Sequence, residues 1–139
     1  FNELAWASKG EGAFLNDRPI RVSETITELR DAALSTGNIA SLARDSKRWN
    51  GAAKLAQQVN RTRGYGDFYH YHLLASGKIE IIVESDVNIL DIGALSVIVN
   101  EAGGKFTDLE GKSLNLDTRS VLATSNETLY QKVFSLLHD

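Results

Sequence analysis

Residues 87–102, VNILDIGALSVIVNEA, are apolar or small at nearly every position, and the run stops on Gly103-Gly104. That length, closed by a glycine pair, predicts a buried helix over 88–102. Near the end of the chain Leu129, Val133, Phe134 and Leu137 fall on one face of a second helix, which Asn126 or Ser125 caps. Helical spacing also runs through 38–64, with Leu42, Trp49, Ala52, Leu55, Ala56 and Val59 as the apolar set, although Gly51 weakens one continuous helix there. Residues 66–77 are bounded by glycines and predict a short helix with Asp67 as its N-cap.

Between these segments lie short apolar runs with strand character. They are 32–35, the stretch KIEIIVE at 78–84 ending in Glu84, the start of KFTDLEGKSL, and SVLATS at 120–125. The first 23 residues read as extended chain, a glycine turn at Gly10–Gly12, a second strand, an Asn16-Asp17 turn and a last strand. Alternating strands and helices predict a layered α/β fold. Two or three strands alone do not bury a sheet face. Residues 1–23 are therefore expected to be the last strands of an antiparallel sheet whose other strands lie upstream, with an αβα domain over 24–139. The start on Phe1 and the absence of Met point the same way.

Composition narrows the function classes. With 42% hydrophobic and 24% charged residues, the 139-residue chain can fill the core of one domain. No apolar run approaches the roughly 20 residues a membrane helix needs, and a net charge of −3 gives no general attraction to nucleic acid or acidic lipid. No signal-peptide pattern is visible, so the expected location is the cytoplasm. Without cysteine there is no disulfide, thiolate metal site or cysteine nucleophile.

Within the apolar run, Asp91 stands out. If Asn88 caps the helix, Asp91 occupies the third position, where its carboxylate complements the free amides and the helix dipole. It could equally project into a cleft and hold a hard divalent cation, since carboxylate oxygens suit Mg²⁺. The two roles are compatible. Glu84 ends the preceding strand seven residues earlier, and α/β sites gather outside the carboxyl ends of strands, so both carboxylates could border one crevice.

The segment LDIGALSVIVNEAGG resembles the second signature of the inositol monophosphatase family, with Asp91 as the signature aspartate and Glu101-Ala102-Gly103-Gly104 as its ending. Leu90 replaces the usual Trp, which changes the packing behind Asp91, and Gly93-Ala94 replaces the commoner Ala-Ala. ASKGEGAFLNDRPIRVS, LLASGKIEIIVE and SVLATSNETL resemble further family segments in the same order, so the likeness covers almost the whole chain. RGYGDFYHYHLLASG, with Gly66-Asp67-Phe68-Tyr69, is similar to the histidinol-phosphate phosphatase branch, which carries Gly-Asp followed by aromatics.

The resemblance implies a sugar-phosphatase type of αβαβα layering, Mg²⁺ as cofactor, a homodimer and a small-molecule phosphate ester as substrate. It implies Asp91 as catalytic metal ligand, and Glu84, Asp67 and Gly66 as substrate-binding residues. Asp67 or Glu84 would pair with the ammonium of histidinol. An inositol or sugar phosphate is the rival substrate, and a non-catalytic regulatory relative the rival class. The remaining family carboxylates are absent from these 139 residues, so the segment alone is expected to be an incomplete active site.

Other chemistries are weaker. His70 and His72, two apart on a helix, point about 200° from each other and cannot share an ion, so they read as packing or surface residues. Arg44, Lys47, Arg48, Arg61 and Arg63 near Trp49 suggest a solvated face with ion pairs. Gly10 and Gly12 lack the GxxxxGK[ST] of a phosphate loop. Ser35-Thr36-Gly37 lacks the Gly-x-Ser-x-Gly of a nucleophile elbow.

Overall fold

Period-two alternation in the middle strands fixes which way the chemistry of this protein points. The computed structural model describes residues 2–139. Strands β1 (Ala5–Ser8), β2 (Gly12–Leu15) and β3 (Arg18–Ile20) form an antiparallel meander. A second sheet contains β4 (Ala33–Gly37), β5 (Arg61–Arg63), β6 (Ile81–Ser85), β7 (Lys105–Thr107) and β8 (Ser120–Thr124), in the order β5-β4-β6-β8-β7. Its β5, β4 and β6 are parallel, and β8 runs antiparallel to both β6 and β7.

Among the described residues five α-helices complete the fold: α1 (Ile39–Arg44), α2 (Ser46–Gln58), α3 (Tyr69–Ala75), α4 (Ile89–Glu101) and α5 (Glu127–His138). One face of the five-stranded sheet packs Leu34, Ile81, Val83 and Leu122 against Leu42 of α1, Leu55 of α2 and Leu129, Val133 and Leu137 of α5. The opposite face packs Ile82, Val121 and Ala123 with Tyr71 and Leu74 of α3 and Ile92, Leu95 and Val99 of α4. The far side of α4 meets β1 and β2, and Glu101 accepts the Gly12 N–H at 2.9 Å. A helix that meets a sheet on two sides keeps only a narrow exposed stripe, hence the mostly apolar run of 87–102. The layers are thus a small sheet, α3 and α4, the five-stranded sheet, then α1, α2 and α5, the mixed α/β layering expected. Among the described residues no helix is long and apolar enough to cross a membrane.

Three local expectations change. The helical segment 38–64 breaks at Asp45, not at Gly51. Asp45 ends α1 and caps α2, its side chain accepting the Arg48 N–H at 3.1 Å. Gly51 lies inside α2, where a Cβ would come within 2.7 Å of Leu136 O and Leu137 Cα, so it sets the close approach of α2 to α5. Residues 61–63, read as part of the helical stretch, form the edge strand β5. Their polar Arg-Thr-Arg sequence carries no apolar alternation, and only pairing with β4 makes them a strand. Asp67 does not cap α3. The cap position is Phe68, which makes no side-chain cap bond, while Asp67 stands one residue earlier with φ +44.

Candidate active site

Since Ile82 faces α3 and α4, alternation puts Glu84 on that same face, and it puts Ser35 there on the neighbouring strand. Register sets Gly37 beside Glu84. A Cβ on Gly37 would lie 2.6 Å from Glu84 Oε1 and 2.9 Å from its Cδ, so the glycine provides the room for that carboxylate. Glu84 is buried, with 4% of its surface exposed.

Helix α3 supplies the partners. His70 Nε2 lies 2.8 Å from Glu84 Oε2, and the Tyr71 hydroxyl donates to the same oxygen at 2.5 Å. His70 Nδ1 lies 2.9 Å from Ser35 Oγ, which also accepts the Tyr65 N–H at 3.2 Å. Burial, reinforced by the nearby Glu84 carboxylate, holds the Tyr71 phenol far above its ordinary pKa. Tyr71 is therefore a permanent donor. Serine, histidine and glutamate in line suggest a nucleophile relay, but Ser35 has no exposed surface and ends the line away from solvent, so it attacks nothing.

Asp91 arises from a different local rule. Asn88 Oδ1 accepts from the Leu90 and Asp91 N–H groups at 2.9 and 3.2 Å, and Asp91 Oδ2 accepts the Asn88 N–H at 3.1 Å. This reciprocal capping box starts α4 and fixes the Asp91 rotamer. Asp91 is exposed, so its apolar company in the sequence imposes no buried-charge penalty. Leu90 is 93% exposed and packs behind nothing, contrary to the role expected from its replacement of Trp.

Both carboxylates line one cavity of about 400 Å³, together with Asn38, Asp67, Phe68, Tyr71, Asp86, Val87 and Ile92. It opens at the carboxyl ends of β4 and β6, where α/β folds place their sites. Five non-glycine residues among those described have left-handed backbone, and Asn38 (φ +53), Asp67 (φ +44) and Asp86 (φ +56) line this cavity. Such strain concentrates at functional sites. Asn38 ties two strand ends together: its side-chain amide donates to Ser85 O at 2.6 Å, and Ser85 Oγ donates to Asn38 O at 3.1 Å. A larger surface cavity of about 690 Å³ holds only one carboxylate, Glu28, already paired with Lys132 at 3.0 Å.

Of the four sequence candidates, Glu84, Asp91 and Asp67 come together in the cavity wall. Gly66 does not line it. With φ +61 it shapes the turn before α3, where its carbonyl accepts the Tyr69 N–H at 3.2 Å. His70, expected at a packing or surface position, is fully buried and in addition hydrogen-bonded to Glu84, while His72 sets its ring 5.1 Å from that of Phe68. Asn38 and Asp86 escaped the sequence reading. The available signal was an Asn or Asp just past a buried strand, the residue types that tolerate left-handed backbone. Among the described residues no group of three or more metal-ligating side chains is placed to hold an ion. The oxygen donors at hand suit Mg²⁺, which commonly takes one or two protein carboxylates and completes its shell with phosphate and water. As a contributor of one such ligand, Asp91 fits.

The model for the inositol monophosphatase family matches residues 1–139, and the chain belongs to that family. It is 40% identical over 110 residues to the histidinol-phosphatase of Mycobacterium tuberculosis, covering 76% of this chain and 42% of that protein. It is 34% identical over 112 residues to the histidinol-phosphatase of Streptomyces coelicolor, covering 77% and 41% respectively. The structure of an inositol monophosphatase from Zymomonas mobilis superposes with a TM-score of 0.88 at 25% identity, over 97% of this chain and 53% of that one. The chain thus spans less than half the length of either histidinol-phosphatase.

Proposed function

We propose that the protein is a Mg²⁺-dependent phosphomonoesterase that hydrolyses histidinol phosphate to histidinol and phosphate. The observation that carries this reading is the presence in one cavity of two carboxylates held in opposite ways: Asp91 exposed on a helix start, and Glu84 buried and clasped by two donors.

Asp91 is the residue that would hold the metal. The Asn88 N–H presets its orientation at the start of α4. Bound Mg²⁺ would neutralise phosphate oxygens and lower the pKa of a water. In the net reaction the water oxygen forms a new bond to phosphorus, the ester P–O bond breaks, and the alcohol oxygen leaves with a proton. Glu84 and Asp67 form the wall for the leaving group, where an ammonium makes charge-assisted hydrogen bonds. Phe68, 48% exposed at the same wall, offers a ring face to a flat heteroaromatic group. Two histidinol-phosphatase relatives and the Gly66-Asp67-Phe68-Tyr69 run support the substrate.

An inositol or sugar monophosphate is the second reading. It is favoured by Glu84, whose carboxylate also accepts from hydroxyls, and by the likeness to a solved inositol monophosphatase. The test is phosphate release from histidinol phosphate and from inositol monophosphate by the whole gene product, with and without Mg²⁺, beside Asp91→Asn. Release that needs Mg²⁺ and is lost in the variant is expected. A folded protein that releases no phosphate from either ester sinks the enzyme reading in favour of a binding module.

A further inference from the structure

Glu84 is the most constrained carboxylate in the cavity wall, and part of the constraint comes from groups that never touch the cavity. Ser35 and His70 have no exposed surface and do not line it, yet they form one hydrogen-bonded line ending on Glu84 Oε2. The donor order follows from satisfying every member. Glu84 Oε2 is a carboxylate oxygen and only accepts, so the ring proton sits on His70 Nε2; Nδ1 then accepts, and Ser35 Oγ, which takes the Tyr65 N–H on one lone pair, gives its own proton to Nδ1. Tyr71 donates to the same oxygen. Oε2 therefore carries two protein donors, while Oε1 lies against Gly37, where no side chain intrudes.

We propose that His70 is a positioning residue for substrate selection: held in one tautomer between Glu84 and Ser35, it fixes the Glu84 carboxylate so that a leaving group bearing an ammonium is selected over one without. The inference rests on the proposed histidinol phosphatase reading and extends it to residues outside the cavity. A carboxylate free to swing spreads its lone pairs over several rotamers, and its bond to a substrate cation then carries the entropy of ordering it. A leaving group that does not use Glu84 is spared that loss.

The experiment compares histidinol phosphate with p-nitrophenyl phosphate, which has no ammonium, in the whole gene product and in its His70→Leu and His70→Gln forms. His70→Leu is expected to lose kcat/KM on histidinol phosphate, mainly through KM, by about tenfold more than on p-nitrophenyl phosphate. His70→Gln, which restores a donor near the Nε2 position, should recover most of that difference. Equal losses on both esters, or none, overturn the proposal. A second readout needs no turnover: ¹⁵N-detected imidazole spectra should show His70 as a single tautomer protonated on Nε2 and perturbed by Ser35→Ala. A ring protonated on Nδ1 alone, or one indifferent to Ser35→Ala, overturns it as well. If the wild-type protein shows no preference for histidinol phosphate, the substrate reading fails, and the spectra alone decide whether His70 holds Glu84.

Discussion

Gly37→Ala is the smallest change that reaches the centre of the site. The added methyl would sit 2.6 Å from Glu84 Oε1, where ordinary contact begins at 3.4 Å, so the carboxylate must retreat by 3.4 − 2.6 = 0.8 Å. A shift of that size lengthens the 2.8 Å bond from His70 Nε2 to at most 2.8 + 0.8 = 3.6 Å, beyond hydrogen-bonding distance. Moving instead toward His70 and Tyr71 is blocked, because both donors are buried and already close. One charge-assisted bond in a buried setting is worth about 1.5–3 kcal/mol, and overpacking costs about 1–3 kcal/mol. We expect a loss of about 2–4 kcal/mol in a urea titration of the whole protein, together with weaker selection for histidinol phosphate. The matched control is Gly93→Ala on α4, where a Cβ meets nothing within 4 Å. Replacing that helical glycine should stabilise by about 0.5–1 kcal/mol. A Gly37→Ala protein as stable and as selective as wild type would refute the crowding argument.

Gly51→Ala places a methyl 2.7 Å from backbone atoms of α5 that cannot swing aside, so α2 and α5 must part; a loss of about 2–4 kcal/mol is expected by chemical denaturation. Asn88→Ala removes the cap acceptor of α4 and leaves the Asp91 rotamer less fixed. It should cost about 1 kcal/mol in a urea titration and raise the Mg²⁺ concentration needed for half-maximal phosphate release. The Glu101 carboxyl is held below its ordinary pKa, chiefly by the Gly12 N–H. Because the folded value is depressed, its contribution is present above the ordinary glutamate range and is lost as pH falls through the lower folded value. Glu101→Gln should therefore flatten the acid limb of stability against pH, and an unchanged limb would count against the α4–β2 contact.

What the sequence made legible, it did through local rules. The apolar run and glycine stop of α4, the cap at Asn88 with Asp91 three residues on, and the amphipathic face of α5 all depend on nearby residues, and all appear in the structure. Longer-range geometry was hidden. Gly51 looked like a helix breaker because its reason, the close approach of α5, lies more than 80 residues away. The strand character of 61–63 exists only through pairing with β4. His70 was set aside because spacing alone compared it with His72, whereas its partners Ser35 and Glu84 come from two different strands. The cap position expected at Asp67 falls one residue later, at Phe68, because α3 begins only at Tyr69.

That Glu84 chooses the leaving group is tested by a single ratio: kcat/KM for histidinol phosphate over that for inositol monophosphate, in the Mg²⁺-loaded whole protein and in Glu84→Gln. A ratio well above one that falls by about tenfold or more in the variant, a change of about 1.4 kcal/mol, is the predicted result. A ratio at or below one, or one that Glu84→Gln leaves unchanged, would contradict it.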